Sequence, residues 1–138
     1  MTIEEAQREI LAEFEYLEDW LDKYQQLIDM GQNLPEGDDD LKQDANLIRG
    51  CQSRVWIACR LEGGVLRFQA DSDAVITKGI VSLLLRIFDG HTPQEIQGAE
   101  LYVLDKIGLQ QHLSPTRANG LVAMVEQIRT YAQKYSAQ

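Results

Sequence analysis

The 138-residue chain predicts an α+β fold, a small antiparallel sheet of about three strands packed by helices. Two runs of alternating apolar residues flank Gly63-Gly64, the pattern of a β-hairpin. Stretches with helical spacing lie before and after that hairpin. With 44% hydrophobic residues, the chain can build a core without disulfide or metal staples and is read as one domain over residues 1–138.

Thr2 is the expected N-cap of the first helix, with Glu5 completing a capping box. Apolar positions then recur through Ile3, Ala6, Ile10, Phe14, Leu17, Leu21, Tyr24 and Leu27, as one helix or as two broken near Glu18-Asp19-Trp20. Gly31 is expected to close this region as a C-cap before Leu34-Pro35. Residues 31–46 read as loop, with Pro35, Gly37 and the run Asp38-Asp39-Asp40. Three aspartates invite a Ca²⁺ reading, but the alternating ligands and distal glutamate of an EF-hand are missing, so the run is taken as solvated.

Val55, Ile57, Cys59 and Leu61 fall on one face of a strand, and Val65–Ala70 returns after the Gly-Gly turn. An isolated hairpin is marginal, so Ala45–Arg49 is expected as a third strand. Cys51 then occupies the loop joining two strands. Asp71-Ser72-Asp73 is expected to cap a largely buried helix through residues 74–89, ended by Gly90. Thr92-Pro93-Gln94-Glu95 is a second capping box for a short helix, 93–97. Residues 99–109 suggest another short helix ending at Gly108. Ser114-Pro115 starts the last helix, with an apolar stripe of Leu121, Met124, Val125, Ile128 and Tyr131.

Thirteen Lys and Arg against 22 Asp and Glu give a formal charge of −9. Such a field repels phosphate backbones, which argues against nucleic acid as a partner. The longest apolar run, Gly79–Leu85, is too short to span a bilayer, so no membrane is expected as a partner. The acidic, amphipathic start lacks the features of a secretory signal or transit peptide, and the expected location is a bacterial-type cytoplasm.

Cys51 and Cys59 are separated by a segment that reads as extended, placing them roughly 25 Å apart, too far for a disulfide or a shared metal. Reduced thiols are therefore expected. A reactive cysteine wants partial exposure and positive neighbours, and Arg49 and Arg54 flank Cys51. The alternative is a cysteine merely tolerated in a loop. Strand alternation turns Cys59 toward the core with Val55 and Ile57. Arg117 lies in the first turn of the last helix, where the backbone dipole opposes a cation. It is either a functional residue or an exposed, solvent-screened arginine. His112 is either a general base toward a thiol or a loop histidine. No phosphate-binding glycine loop, zinc signature or serine elbow is present.

Several motifs occur in order: Gly50-Cys51-Gln52-Ser53-Arg54-Val55-Trp56, Asp71-Ser72-Asp73-Ala74 through Lys78-Gly79, Thr92-Pro93, and Leu113-Ser114-Pro115-Thr116-Arg117 with Gly120-Leu121. With Trp20, Lys23-Tyr24, Leu27-Ile28, Gly31 and Leu34-Pro35, they make the chain resemble the SufE/CsdE family of sulfur-acceptor proteins over nearly its whole length. The resemblance implies a NifU/IscU-like fold with the cysteine at a loop tip. It also implies a carrier that takes persulfide sulfur on Cys51 from a pyridoxal-phosphate-dependent cysteine desulfurase of the SufS or CsdA type. Such a carrier stimulates that enzyme and passes sulfur toward an iron–sulfur scaffold. No cofactor of its own is implied, since pyridoxal phosphate belongs to the partner. By the same resemblance Arg117 is a candidate to support the thiolate or docking, and Arg49, Gly50, Gln52, Ser53 and Arg54 form the partner-binding surface.

Two rivals differ in chemistry. A cysteine-nucleophile hydrolase would pair Cys51 with His112 within reach of each other. A cluster-assembling scaffold would need more convergent ligands than two separated cysteines supply.

Overall fold

The computed structural model describes residues 1–137 and is an α+β arrangement of one antiparallel hairpin and seven helices among those residues. Helices α1 (Ile3–Glu15) and α2 (Trp20–Gln32) are separate, with the Asp19 carboxylate accepting from the Leu21 N–H at 2.9 Å as the cap of α2. The Thr2 and Glu5 capping box forms as expected. Strands β1 (Val55–Glu62) and β2 (Val65–Ser72) pair from Val55–Ser72 to Glu62–Val65. Both turn glycines have positive φ, +61° and +84°, the geometry that a two-residue hairpin turn requires. Helix α3 (Val75–Phe88) follows, then α4 (Pro93–Gly98) behind its capping box, the short turns α5 (Val103–Lys106) and α6 (Leu109–His112), and α7 (Pro115–Ser136).

The core lies around α3, whose Ile80, Val81, Leu83, Leu84, Ile87 and Phe88 are all essentially inaccessible. It meets Leu27 of α2, Ile57 and Leu66 of the hairpin and Leu121 and Ile128 of α7. Gly31 is not a C-cap. It lies buried inside α2, because α2 and α3 cross where a Cβ on Gly31 would stand 2.9 Å from the Gly79 nitrogen. The helix ends two residues later at Asn33.

The expected third strand is absent. Asp44–Asn46 forms a single 3₁₀ turn, and only Leu47 bridges to Trp56, with Ile48 N–H donating to the Val55 carbonyl at 2.8 Å. The Asn46 amide donates to the Leu41 carbonyl, a local bond that competes with strand pairing. Side chains serve the hairpin's edges instead. From α7, the Tyr131 hydroxyl donates to the Ile57 carbonyl at 3.0 Å and the Tyr135 hydroxyl to the Cys59 carbonyl at 3.3 Å. On the β2 edge, Leu66 exchanges backbone bonds with Gly90 and His91, and the Asp89 carboxylate accepts from the Phe68 N–H at 2.7 Å. A two-stranded sheet is thus held by helices rather than by a further strand.

Candidate functional site

The cysteine loop leaves the sheet after Ile48 and rejoins it at Val55, both buried. Gly50 turns it at φ +92°, a left-handed conformation that favours glycine. Residues 49–53 make no backbone hydrogen bond of normal geometry to the rest of the described chain. The loop is instead clamped at its far end. The Arg54 N–H donates to the Asp73 carboxylate at 3.0 Å, and the Arg54 carbonyl accepts from the Ser72 hydroxyl at 2.8 Å and the Asp73 N–H at 3.2 Å. Ser72 and Asp73, two of the three residues expected to cap the next helix, are therefore engaged with this loop, although the Ser72 hydroxyl also accepts from the Ala74 N–H at 3.2 Å. Helix α3 begins at Ala74 without a side-chain cap of its own.

Cys51 is half-buried. Its thiol donates weakly to the Gly120 carbonyl of α7 at 3.7 Å. Gly120 permits this approach, since a Cβ there would come within 3.1 Å of the sulfur. Behind the sulfur is a cavity of about 10 Å³ walled by Thr77 and Ile80 of α3 and by Thr116, Arg117, Gly120 and Met124 of α7. That is near the lower limit for a single water. The first turns of α3 and α7 both reach this cavity and neither carries an acidic residue, though the Ser114 hydroxyl caps α7.

Burial pushes the Cys51 thiol up. The expected activation by Arg49 and Arg54 is not found in the resting pocket, where both side chains are exposed and screened by water and burial alone acts on the half-buried thiol. Gln52 is exposed and Ser53 half-buried, and both line the mouth of the cavity. Arg117 is exposed on the same rim, with its backbone N–H donating to the Ser114 hydroxyl at 3.3 Å.

His112 does not join this site. Its ring stacks on Trp20 with centroids 3.8 Å apart and its Nδ1 is 3.0 Å from the Gly108 carbonyl. The Tyr24 hydroxyl holds its carbonyl at 2.8 Å. With its base engaged elsewhere and a cavity too small for a substrate, the hydrolase reading loses support. Cys59 meets expectation in part, since it packs against the core without being enclosed by it. It sits where β1 runs out of the core, half-buried, with its thiol pushed up to about 12 by burial and by Asp89.

A groove of about 400 Å³ lies elsewhere, between the end of α2, β2 and α3. Most of its polar side chains are already used: the Ser82 hydroxyl on the Met30 carbonyl, Gln69 on Asp38, Arg86 on Glu9 and Glu13, and Asp89 on Phe68 and Arg67. Asp38 of the acidic run is thus part of a side-chain clasp. Among the described residues no group of three or more His, Cys, Asp or Glu converges to hold a metal ion, and no helix is long and apolar enough to cross a membrane.

Sequence reasoning missed the roles of four residues. Gly120 was detectable as a glycine inside a good helix, which signals a close approach. Asp73 and Ser72 carried a capping signal that the tertiary structure redirects. Thr77 carried no signal of its own.

The fold is similar to the solution structure of a hypothetical protein from Thermus thermophilus, with a TM-score of 0.79 over 96% of this chain and 97% of that one at 20% identity. Residues 8–132 match the family described as SufE, an Fe-S metabolism associated domain, and the chain belongs to that family.

Proposed function

We propose that this member of the SufE family is a sulfur carrier that accepts sulfane sulfur on Cys51 from a pyridoxal-phosphate-dependent cysteine desulfurase of the SufS or CsdA type. It stimulates that enzyme, hands the sulfur to an iron–sulfur scaffold, and works in the cytoplasm without a cofactor of its own. The observation that carries this reading is the fit of the thiol to a cavity with room for about one more atom, on a loop free of backbone ties between residues 49 and 53.

Transfer begins when the loop swings out and water lets Cys51 ionise. The Cys51 thiolate attacks the outer sulfur of the donor's persulfide; a new S–S bond forms on Cys51, the donor's S–S bond breaks, and the donor cysteine leaves as thiolate. No external oxidant or reductant is required. On return, the sulfur is walled by Ile80, Met124 and Gly120 and is shielded from reductants. Arg49, Gly50, Gln52, Ser53 and Arg54 form the loop surface that meets the desulfurase, and Arg117 stabilises the anion or guides docking. We take the sheet-and-helix arrangement to be that of the NifU/IscU scaffolds, with the single carrier thiol in place of a cluster.

Desulfurase turnover measured with and without this chain tests the reading. Stimulation by the wild type, abolished by Cys51→Ser and kept by Cys59→Ser, is expected. Equal stimulation by Cys51→Ser overturns it.

A further inference from the structure

The resting thiol and a loaded persulfide ask opposite things of their pocket. As a thiol, Cys51 is a donor and uses the Gly120 carbonyl. Once it carries a terminal anionic sulfur it becomes an acceptor, and that carbonyl offers it nothing.

The wall facing it supplies the missing donor. Thr77 is the third residue of α3, 5% exposed, and lines the cavity together with Cys51. Its hydroxyl has no hydrogen-bond partner among the described residues; Thr116, on the same cavity, also lacks one but is exposed to water, whereas the hydroxyls of Thr2, Thr92 and Thr130 are all bonded. Yet no fully enclosed side-chain polar atom is left unsatisfied among the described residues, so the Thr77 hydroxyl opens onto space. The space at hand is the cavity beside the sulfur. A hydroxyl on a buried side chain that has no protein partner is free to donate to an atom that enters the space it opens onto. Arg117 is the one charged side chain lining the same cavity, on its exposed rim.

We propose that Thr77 donates a hydrogen bond to the sulfane sulfur of loaded Cys51 when the loop is closed, and so retains the persulfide as its anion. Thr77 is a positioning residue for the carried sulfur. This rests on the carrier reading above and assigns the atom that holds the cargo. The consequence follows from how sulfur is lost. A stray thiolate attacks the outer sulfur, taking it as a new persulfide and releasing Cys51 as thiolate. An anionic terminal sulfur repels that attack and a protonated one invites it. A donor that favours the anion therefore prolongs storage.

The test uses the full chain in a Cys59→Ser background, loaded with inorganic polysulfide so that no desulfurase is involved. Loss of the added sulfur to glutathione is followed by intact mass across a pH series for wild type, Thr77→Ser, Thr77→Val and Thr77→Ala. Without the hydroxyl, Val and Ala are expected to lose sulfur about tenfold faster near neutral pH, with the pH midpoint of loss raised by about one unit. Ser is expected to stay within about twofold of wild type, and alkylation of the unloaded thiol should not change, as a purely structural role would require it to. Val or Ala matching wild type overturns the proposal, as does Ser failing along with them, or wild type losing its sulfur as fast as a short peptide containing Cys51. These outcomes are separate from failure of the carrier reading, which would appear as no desulfurase-dependent loading of Cys51 in the wild type.

Discussion

Gly120→Ala separates the loop's energetics from the fold's. The added Cβ would lie 3.1 Å from the Cys51 sulfur and 3.6 Å from both its Cα and Cβ, against an optimum of about 3.5–4.0 Å between non-bonded carbons. Overpacking of this kind costs about 1–3 kcal/mol when the neighbours are fixed. Here the neighbour is a loop without backbone hydrogen bonds over residues 49–53, so the strain is relieved by displacing that loop. Alanine inside a helix is meanwhile better than glycine by about 0.8–1.0 kcal/mol. Global stability should therefore stay within about 1 kcal/mol of wild type, while a shift of about 1–2 kcal/mol toward the open loop raises thiol exposure about 5–30-fold. The assay is the second-order rate of Cys51 with a small uncharged alkylating agent, in a Cys59→Ser background, alongside a urea melt. A raised rate at near-constant stability is expected. An unchanged rate, or a stability loss above about 2 kcal/mol, would show the loop to be an inflexible part of the core and refute the reasoning.

Gly79→Ala should cost about 3 kcal/mol or more in a urea melt, because its Cβ would overlap the Leu27 carbonyl where α2 crosses α3, whereas Gly98→Ala, with open space around it, should stay within about 0.5 kcal/mol. Tyr131→Phe removes the hydroxyl that satisfies the Ile57 carbonyl at the β1 edge and should lower stability by about 1 kcal/mol in the same assay. Alkaline pH should destabilise the protein through Cys59. Its thiol ionises near 9.0 when unfolded but is held up to about 12 in the fold, so the unfolded state sheds its proton first and stability falls as pH rises between those values. A melting temperature that declines across that window no more steeply in wild type than in Cys59→Ala would contradict this.

What was legible in the sequence is what is decided within a few residues. Both capping boxes, the Ser114 cap and the Gly63-Gly64 turn need only their neighbours, and all form as read. Features set by distant partners were not. The third strand failed because Tyr131 and Tyr135, far along the chain, already serve the edge of β1. Gly31 looked like a helix stop because its reason, the backbone of Gly79, lies on another helix. Gln7 hides the same way. It falls within an amphipathic helix yet is buried, its amide donating to the Glu100 carbonyl and accepting from the N–H groups of Tyr102 and Val103. At the site, the loop position of Cys51 was readable, but the direction of its pKa was not. That direction depends on burial against α3 and α7, which flanking arginines do not reveal.

The central claim is that sulfur is carried on Cys51. Incubation of the chain with a cysteine desulfurase, pyridoxal phosphate and cysteine, followed by peptide mapping by mass spectrometry, tests it most directly. One added sulfur on the peptide containing Cys51, none on Cys59, and none anywhere in Cys51→Ser is the predicted result. An added sulfur on Cys59 with Cys51 unmodified would contradict it.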